Sequence, residues 1–220
     1  MRPTLGVSCL IAAAGSGDRL GLGPKGSLEL GGRPLLGWLV DKVNQVADEV
    51  LVAVPLAQVE AMAQLLPGCH VHAGGNTRQA SLDLLADKAR GQWLIEHDGA
   101  RPFASVGLFK SVLDAAQQTG CAAAILDPEV LVAVLAGGML SGIHPREQMG
   151  LTQTPQAYSR ELLNQLRQLQ IPDAARSEMT VVQRAVLAGI AVHAVPGERT
   201  NIKLTTPQDW AALEYLQPLL

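Results

Sequence analysis

The sequence predicts an α/β protein built on a doubly wound, mostly parallel sheet. Three observations carry this. Short apolar runs alternate with amphipathic segments along the 220 residues. The runs are continuous, as strands buried on both faces read. A glycine-rich stretch directly follows the first run, and ligands of such sheets sit at the carboxyl ends of strands. A β-α-β-α order of this kind implies a parallel sheet with helices on its faces.

Taken in order, strands are expected at Ser8–Ala13, Glu49–Val54, His70–Ala73, Trp93–His97, Ala122–Leu126 and Ala191–Val195. Helices are expected at Leu35–Ala47, Ala57–Leu65, Thr77–Lys88, Val106–Thr119, Ser159–Leu169, Glu178–Ala188 and Pro207–Leu216. The last opens with Thr206 as N-cap and Pro207 at the first helical position, where a missing N–H costs nothing. One region breaks the pattern. Between Pro128 and Arg146, Gly137-Gly138 separates two short apolar runs, which predicts a β-hairpin. It reads either as a core hairpin or as an arm that packs on another subunit.

Composition narrows the function classes. The chain is 48% hydrophobic with a formal charge of −3, which suits one domain over 1–220. That balance gives no reason to expect nucleic acid or an anionic membrane as partner. No apolar stretch is long and clean enough to span a bilayer. The three cysteines, Cys9, Cys69 and Cys121, are far apart and fit no metal spacing. They read as reduced thiols, which points to the cytoplasm.

Four stretches carry candidate chemistry. The first is AAAGSGDRLGLGPKGSLEL, Ala12–Leu30, with five glycines, Arg19 and Lys25. It is not a P-loop, because Ser27 follows Gly26 where lysine belongs. It is not the dinucleotide fingerprint, because Leu20 stands at the third glycine position. It reads as a long loop whose amides could line a triphosphate while the two cations reach the phosphoryl groups. The plain alternative is a glycine-rich turn with two solvated charges. The second is GGNTRQAS, Gly74–Ser81, between a strand and a helix, with Arg78 and Ser81 aimed at the same ligand or Asn76 or Thr77 merely capping. The third is EHDGARP, Glu96–Pro102. Asp98 at a strand end suits a phosphate-bound Mg²⁺, and Arg101 suits a second anion. The fourth is RTNIKLTTPQD, Arg199–Asp209, with Lys203 ahead of the last helix.

In that order, with QTPQ (Gln153–Gln156) between the third and fourth, these motifs resemble the 2-C-methyl-D-erythritol 4-phosphate cytidylyltransferases of the non-mevalonate isoprenoid pathway. The resemblance runs from about residue 6 to residue 217. It implies a Rossmann-like fold with a protruding β-arm at about 128–146 that forms a homodimer. It implies CTP and Mg²⁺, and a CDP-alcohol and pyrophosphate as products. Carried over by position, Ala13, Ala14, Gly15, Gly17 and Arg19 would wrap the triphosphate. Gly75, Asn76 and Ser81 would hold cytosine, with Arg78 nearby. Arg19, Lys25 and Lys203 would stabilise transfer. Asp98 would lie by the metal and the sugar hydroxyls, Arg101 would contact the acceptor, and Arg146 would reach the acceptor phosphate across the dimer.

Several positions depart from the family pattern. Val130 and Leu131 stand where the family carries Asp-Thr at the root of the arm. Gly26-Ser27 replaces larger residues, Gly99 replaces alanine, and Ser177 stands where an acidic residue often precedes the helix near Glu178. The nucleotide half is thus the more intact. Two other functions fit the same motifs: transfer to another alcohol phosphate such as ribitol 5-phosphate, or a weakly active nucleotide-binding paralogue.

Overall fold

A computed structural model describes residues 5–18, 20–169 and 179–219. The six predicted strands all lie in one seven-stranded sheet. In chain order its strands are β1 (Leu5–Ala12), β4 (Glu49–Val54), β5 (His70–Ala73), β6 (Gly91–Asp98), β7 (Cys121–Leu126), β10 (Leu151–Ser159) and β11 (His193–Pro196). Across the sheet they lie β11-β7-β10-β6-β1-β4-β5. Every pairing is parallel except those of β10, which runs antiparallel to both β6 and β7. Two short strands, β2 (Glu29–Leu30) and β3 (Arg33–Pro34), pair with each other beyond the glycine-rich loop.

Period-two geometry sorts the strand residues onto two faces. Val7, Cys9 and Ile11 of β1 and Val50, Val52 and Val54 of β4 enter one core. Leu10, Leu51 and Ala53 enter the other. Helices α1 (Leu35–Val43), α2 (Val59–Leu65) and α4 (Val106–Thr119) cover the first face. Helices α3 (Arg78–Lys88), α5 (Arg160–Arg167) and α6 (Val181–Leu187) cover the second. A third apolar cluster, Leu20, Leu30, Leu35, Phe103, Leu204 and Leu213, joins the glycine-rich loop to α7 (Pro207–Leu216).

Local signals set the helix ends. Ser105 accepts from the Leu108 amide at 3.0 Å, and α4 stops at Gly120 with φ of 89°, a conformation that favours glycine. Thr180 and Gln183 form a reciprocal capping box on α6. The expected start of that helix at Glu178 lies outside the described residues, as does Ser177. Helix α1 ends at Val43, earlier than the expected Ala47.

Sequence patterning missed β10, for a physical reason. LTQTPQAYS is polar and carries Pro155, which removes a ladder donor. The pairing of β10 with β7 is irregular between Thr152 and Gln156, where the proline sits. Gln153, Thr154 and Gln156 are nonetheless buried, because their side chains serve hydrogen bonds rather than an apolar core.

The hairpin forms as β8 (Val132–Ala136) and β9 (Met139–His144), turning at Gly137 and Gly138, both with positive φ. It pairs with itself and not with the large sheet. Val134, Leu135, Met139, Leu140 and Ile143 are exposed. The reading of a core hairpin is therefore overturned.

Candidate active site

The carboxyl ends of β1, β5 and β6 open onto a cleft of about 350 Å³. Ala12 to Asp18, Lys25 and Gly26 form one wall. Gly17 adopts φ of 79°, and a Cβ there would collide with the Gly23 carbonyl, so the loop can fold on itself only with glycine. The Lys25 ammonium donates to the Leu204 carbonyl at 2.9 Å, tying this wall to the segment that carries Lys203.

Gly75, Asn76, Thr77, Arg78 and Ser81 form the facing wall. A Cβ at Gly74 would strike Ala14, so the two walls meet closely at their base. Thr77 caps α3 by accepting from the Ala80 amide at 3.0 Å. The Ser81 hydroxyl accepts from the Gly75 amide and lies 3.0 Å from the Thr77 carbonyl, which accepts from it. Ser81 therefore shapes the loop as well as lining the cleft. Asn76 stands exposed at its mouth.

Asp98 is the floor. Arg78 Nε lies 2.5 Å from its Oδ1, and Lys203 Nζ lies 2.8 Å from its Oδ2. Burial would raise the carboxyl pKa, but Arg78 and Lys203, by charge and hydrogen bond, hold it well below the usual carboxylate range. Behind it, on the same strand, Glu96 is fully buried and accepts from the Tyr158 hydroxyl at 2.6 Å. Burial pushes Glu96 up, against the pull of Arg78 and that hydrogen bond. His97 faces the other core against Phe109, and burial pushes its imidazole down to about 4.

The QTPQ segment holds this floor in place. Thr154 Oγ accepts from the Asp98 amide at 3.1 Å. Gln153 exchanges hydrogen bonds with Glu198, donating to its carbonyl at 2.9 Å and accepting from its amide at 3.1 Å. The buried Asn201 donates to the Thr154 carbonyl at 2.8 Å and to Gln153 Oε1 at 3.2 Å. Lys203 is thus delivered to Asp98 by a loop clamped onto β10.

Most of the expected site residues come together. Ala13, Ala14, Gly15, Gly17, Lys25, Gly75, Asn76, Arg78, Ser81, Asp98 and Lys203 all line the cleft. Arg19 lies outside the described residues. Arg101 does not line the cleft: its guanidinium donates to the Asn201 carbonyl at 2.6 Å, with Nε 3.7 Å from Asp98. Arg146 does not either. It is exposed on the arm, 3.1 Å from Glu147 Oε1. Sequence reasoning missed the partnership of Glu96 with Tyr158. A period-two step back from Asp98 was the signal that could have found it.

A doubly wound sheet whose strand ends carry a glycine-rich loop facing cations held on a buried carboxylate is the frame of a nucleotide-binding protein. Comparison with known proteins narrows this class. Residues 7–217 match the profile of the 2-C-methyl-D-erythritol 4-phosphate cytidylyltransferase (IspD) family, and the chain belongs to that family. The enzyme of that name from Thermus thermophilus is 41% identical over 214 residues, covering 96% of each chain. That from Deinococcus radiodurans is 39% identical, covering 95% of this chain and 88% of its own. The crystal structure of the Thermus thermophilus enzyme matches with a TM-score of 0.79 at 35% identity, covering 97% of this chain and 100% of that one. Among the described residues no helix is long and apolar enough to cross a membrane.

Proposed function

We propose that the cleft binds CTP and that its lysines drive transfer of the cytidylyl group to 2-C-methyl-D-erythritol 4-phosphate. Family membership makes the chain a CTP-dependent cytidylyltransferase of isoprenoid biosynthesis. The observation that carries the site reading is the convergence of Lys25, Arg78 and Lys203 on one cleft around an ionised Asp98. The ribitol 5-phosphate and inactive-paralogue readings gain nothing from the comparisons.

The chemistry follows from the residue types. The acceptor phosphate is already a nucleophilic oxyanion, so no general base is needed. One of its oxygens bonds to the α-phosphorus of CTP, the bond to the bridging oxygen breaks, and pyrophosphate leaves with that electron pair. The chain must hold the groups in line and offset charge at the α-phosphorus. Lys25 supplies a cation from the glycine-rich wall and Lys203 one from beside the floor, with Arg19 as a third. The amides of Ala13 to Gly17 face the triphosphate, and Gly75 and Asn76 receive the base.

Asp98 suits a divalent cation. It is a hard, ionised oxygen ligand, and among the described residues no group of three or more His, Cys, Asp or Glu is placed to hold a metal ion. The protein would contribute one carboxylate and the substrate phosphates the rest, the usual manner of Mg²⁺. Such an ion would offset the charge of the leaving phosphates.

The acceptor half needs a second copy of the chain in this reading. Val130 and Leu131 are 74% and 62% exposed at the root of the arm, and Arg146 lies outside the cleft of its own chain. The exposed apolar arm supports a homodimer that brings Arg146 to the partner's cleft. The test is pyrophosphate release from CTP and Mg²⁺ with methylerythritol 4-phosphate and ribitol 5-phosphate in parallel. Release with the first alone is expected. Release with ribitol 5-phosphate alone would move the acceptor assignment.

A further inference from the structure

We propose that Glu96 is a positioning residue for this reaction: it holds the Arg78 guanidinium from behind and so keeps the Asp98 carboxylate available to the nucleotide. This rests on the reading of the cleft as a CTP site.

The sequence places the two acids together. Glu96 and Asp98 are two residues apart on β6, so both side chains leave the same face of the sheet. Arg78, the first residue of α3, spans them. Its Nε lies 2.5 Å from Asp98, and its Nη1 lies 3.8 Å from Glu96 Oε2. The two atoms of the longer contact are both buried, and neither has a hydrogen-bond partner. A buried donor and a buried acceptor that face each other without pairing are each costly to leave so. A shift of under about one ångström would bring them within hydrogen-bond range and loosen Arg78 from Asp98. Glu96 cannot turn away, because Tyr158, buried in β10, donates to its other oxygen at 2.6 Å.

The consequence is an exchange of partners. With Arg78 on Oδ1 and Lys203 on Oδ2, each oxygen of the buried Asp98 already holds a cation. A ligand entering from the cleft meets those cations first, and one has to give way for it to reach the carboxylate. Glu96 is the second seat that lets Arg78 lean back while staying fixed in the cleft wall. Without Glu96, Arg78 has Asp98 alone and competes with the nucleotide for it.

The experiment compares Glu96→Gln, Tyr158→Phe, Arg78→Gln and the double variant Arg78→Gln/Glu96→Gln by steady-state kinetics, with CTP binding to the wild type measured alongside. Glu96→Gln keeps shape and the Tyr158 contact, and is expected to raise KM for CTP by about tenfold with kcat changed by less than about threefold. Tyr158→Phe should move KM the same way by less. The double variant should be no worse than Arg78→Gln alone, since Glu96 acts through Arg78. A purely structural role predicts losses that multiply, and that result would overturn the proposal. So would a wild-type KM in Glu96→Gln. If Glu96→Gln does not fold, Tyr158→Phe decides: an unchanged KM there overturns the proposal. A wild type that binds no CTP would sink the nucleotide reading and this inference with it, whereas a wild type active on CTP with an indifferent Glu96→Gln sinks this inference alone.

Discussion

The cleft and the arm are built on opposite principles. In the cleft, the charged groups are held by the same chain: Asp98 by Arg78 and Lys203, Lys25 by the Leu204 carbonyl, and the buried Asn201 beneath them by β10. In the arm, two strands satisfy only each other's backbone, and their large apolar side chains face outward. The contrast marks where the chain is finished by its own folding and where it is not. A buried charge without a counter-charge is costly, so Asp98 is given its cations by its own chain. An exposed apolar hairpin has no such requirement inside the monomer, and its residues are free to meet a second copy.

Four outcomes test that contrast, in decreasing order of effect. Lys25→Ala or Lys203→Ala should lower kcat on the order of a hundredfold, equivalent to roughly 3 kcal/mol. Near-normal turnover in either would remove the lysines from the chemistry. Gly17→Ala forces a left-handed backbone onto a side chain that meets the Gly23 carbonyl, and should weaken CTP binding by about tenfold. Calorimetric titration with CTP checks this, and wild-type affinity would mean the loop does not hold the triphosphate.

The third outcome concerns the support beneath the cleft. At the opposite end of the sheet Glu49 is buried and, although burial raises its pKa, hydrogen bonds from Ser8 and Arg90 hold it below the ordinary carboxylate value. A depressed folded pKa gives stability that is complete above the unfolded value of about 4.3 and is lost as pH falls through the folded one. Urea unfolding between about pH 6 and pH 3 should show that loss, and Glu49→Gln should flatten it. Equal slopes in both proteins would contradict the assignment. The smallest effect belongs to the arm. Leu140→Glu on an exposed strand position should change monomer stability by under about 0.5 kcal/mol and leave CTP affinity intact. Sedimentation should nonetheless show a dimer in the wild type and a monomer in the variant. A monomeric wild type would end the dimer proposal.

Legibility varies with the kind of force involved. Strands such as Glu49–Val54 are readable because burial on both faces demands unbroken apolar sequence. Helices α4 and α7 are readable to the residue because Ser105, Gly120, Thr206 and Pro207 mark their ends. Strand β10 is not, since several of its buried side chains are polar and their partners are remote: Gln153 donates to the Glu198 carbonyl 45 residues further along the chain, and the Thr154 hydroxyl accepts from the Asp98 amide 56 residues earlier. The site residues are legible only as separate motifs. Neither Arg101 nor Arg146 can be placed from spacing alone. The structure turns Arg101 toward Asn201 and leaves Arg146 on the arm.

Residue order alone carries what local physics and residue chemistry can specify. It settled the alternation of buried strands and capped helices, the glycine-rich loop after β1, and the family to which the motifs belong. Long-range packing alone places Glu96 behind Arg78, makes QTPQ a clamp for the Lys203 loop, and keeps the hairpin outside the core. These depend on contacts between residues far apart in the chain. Periodicity records which face a side chain leaves, but not which distant group it meets there.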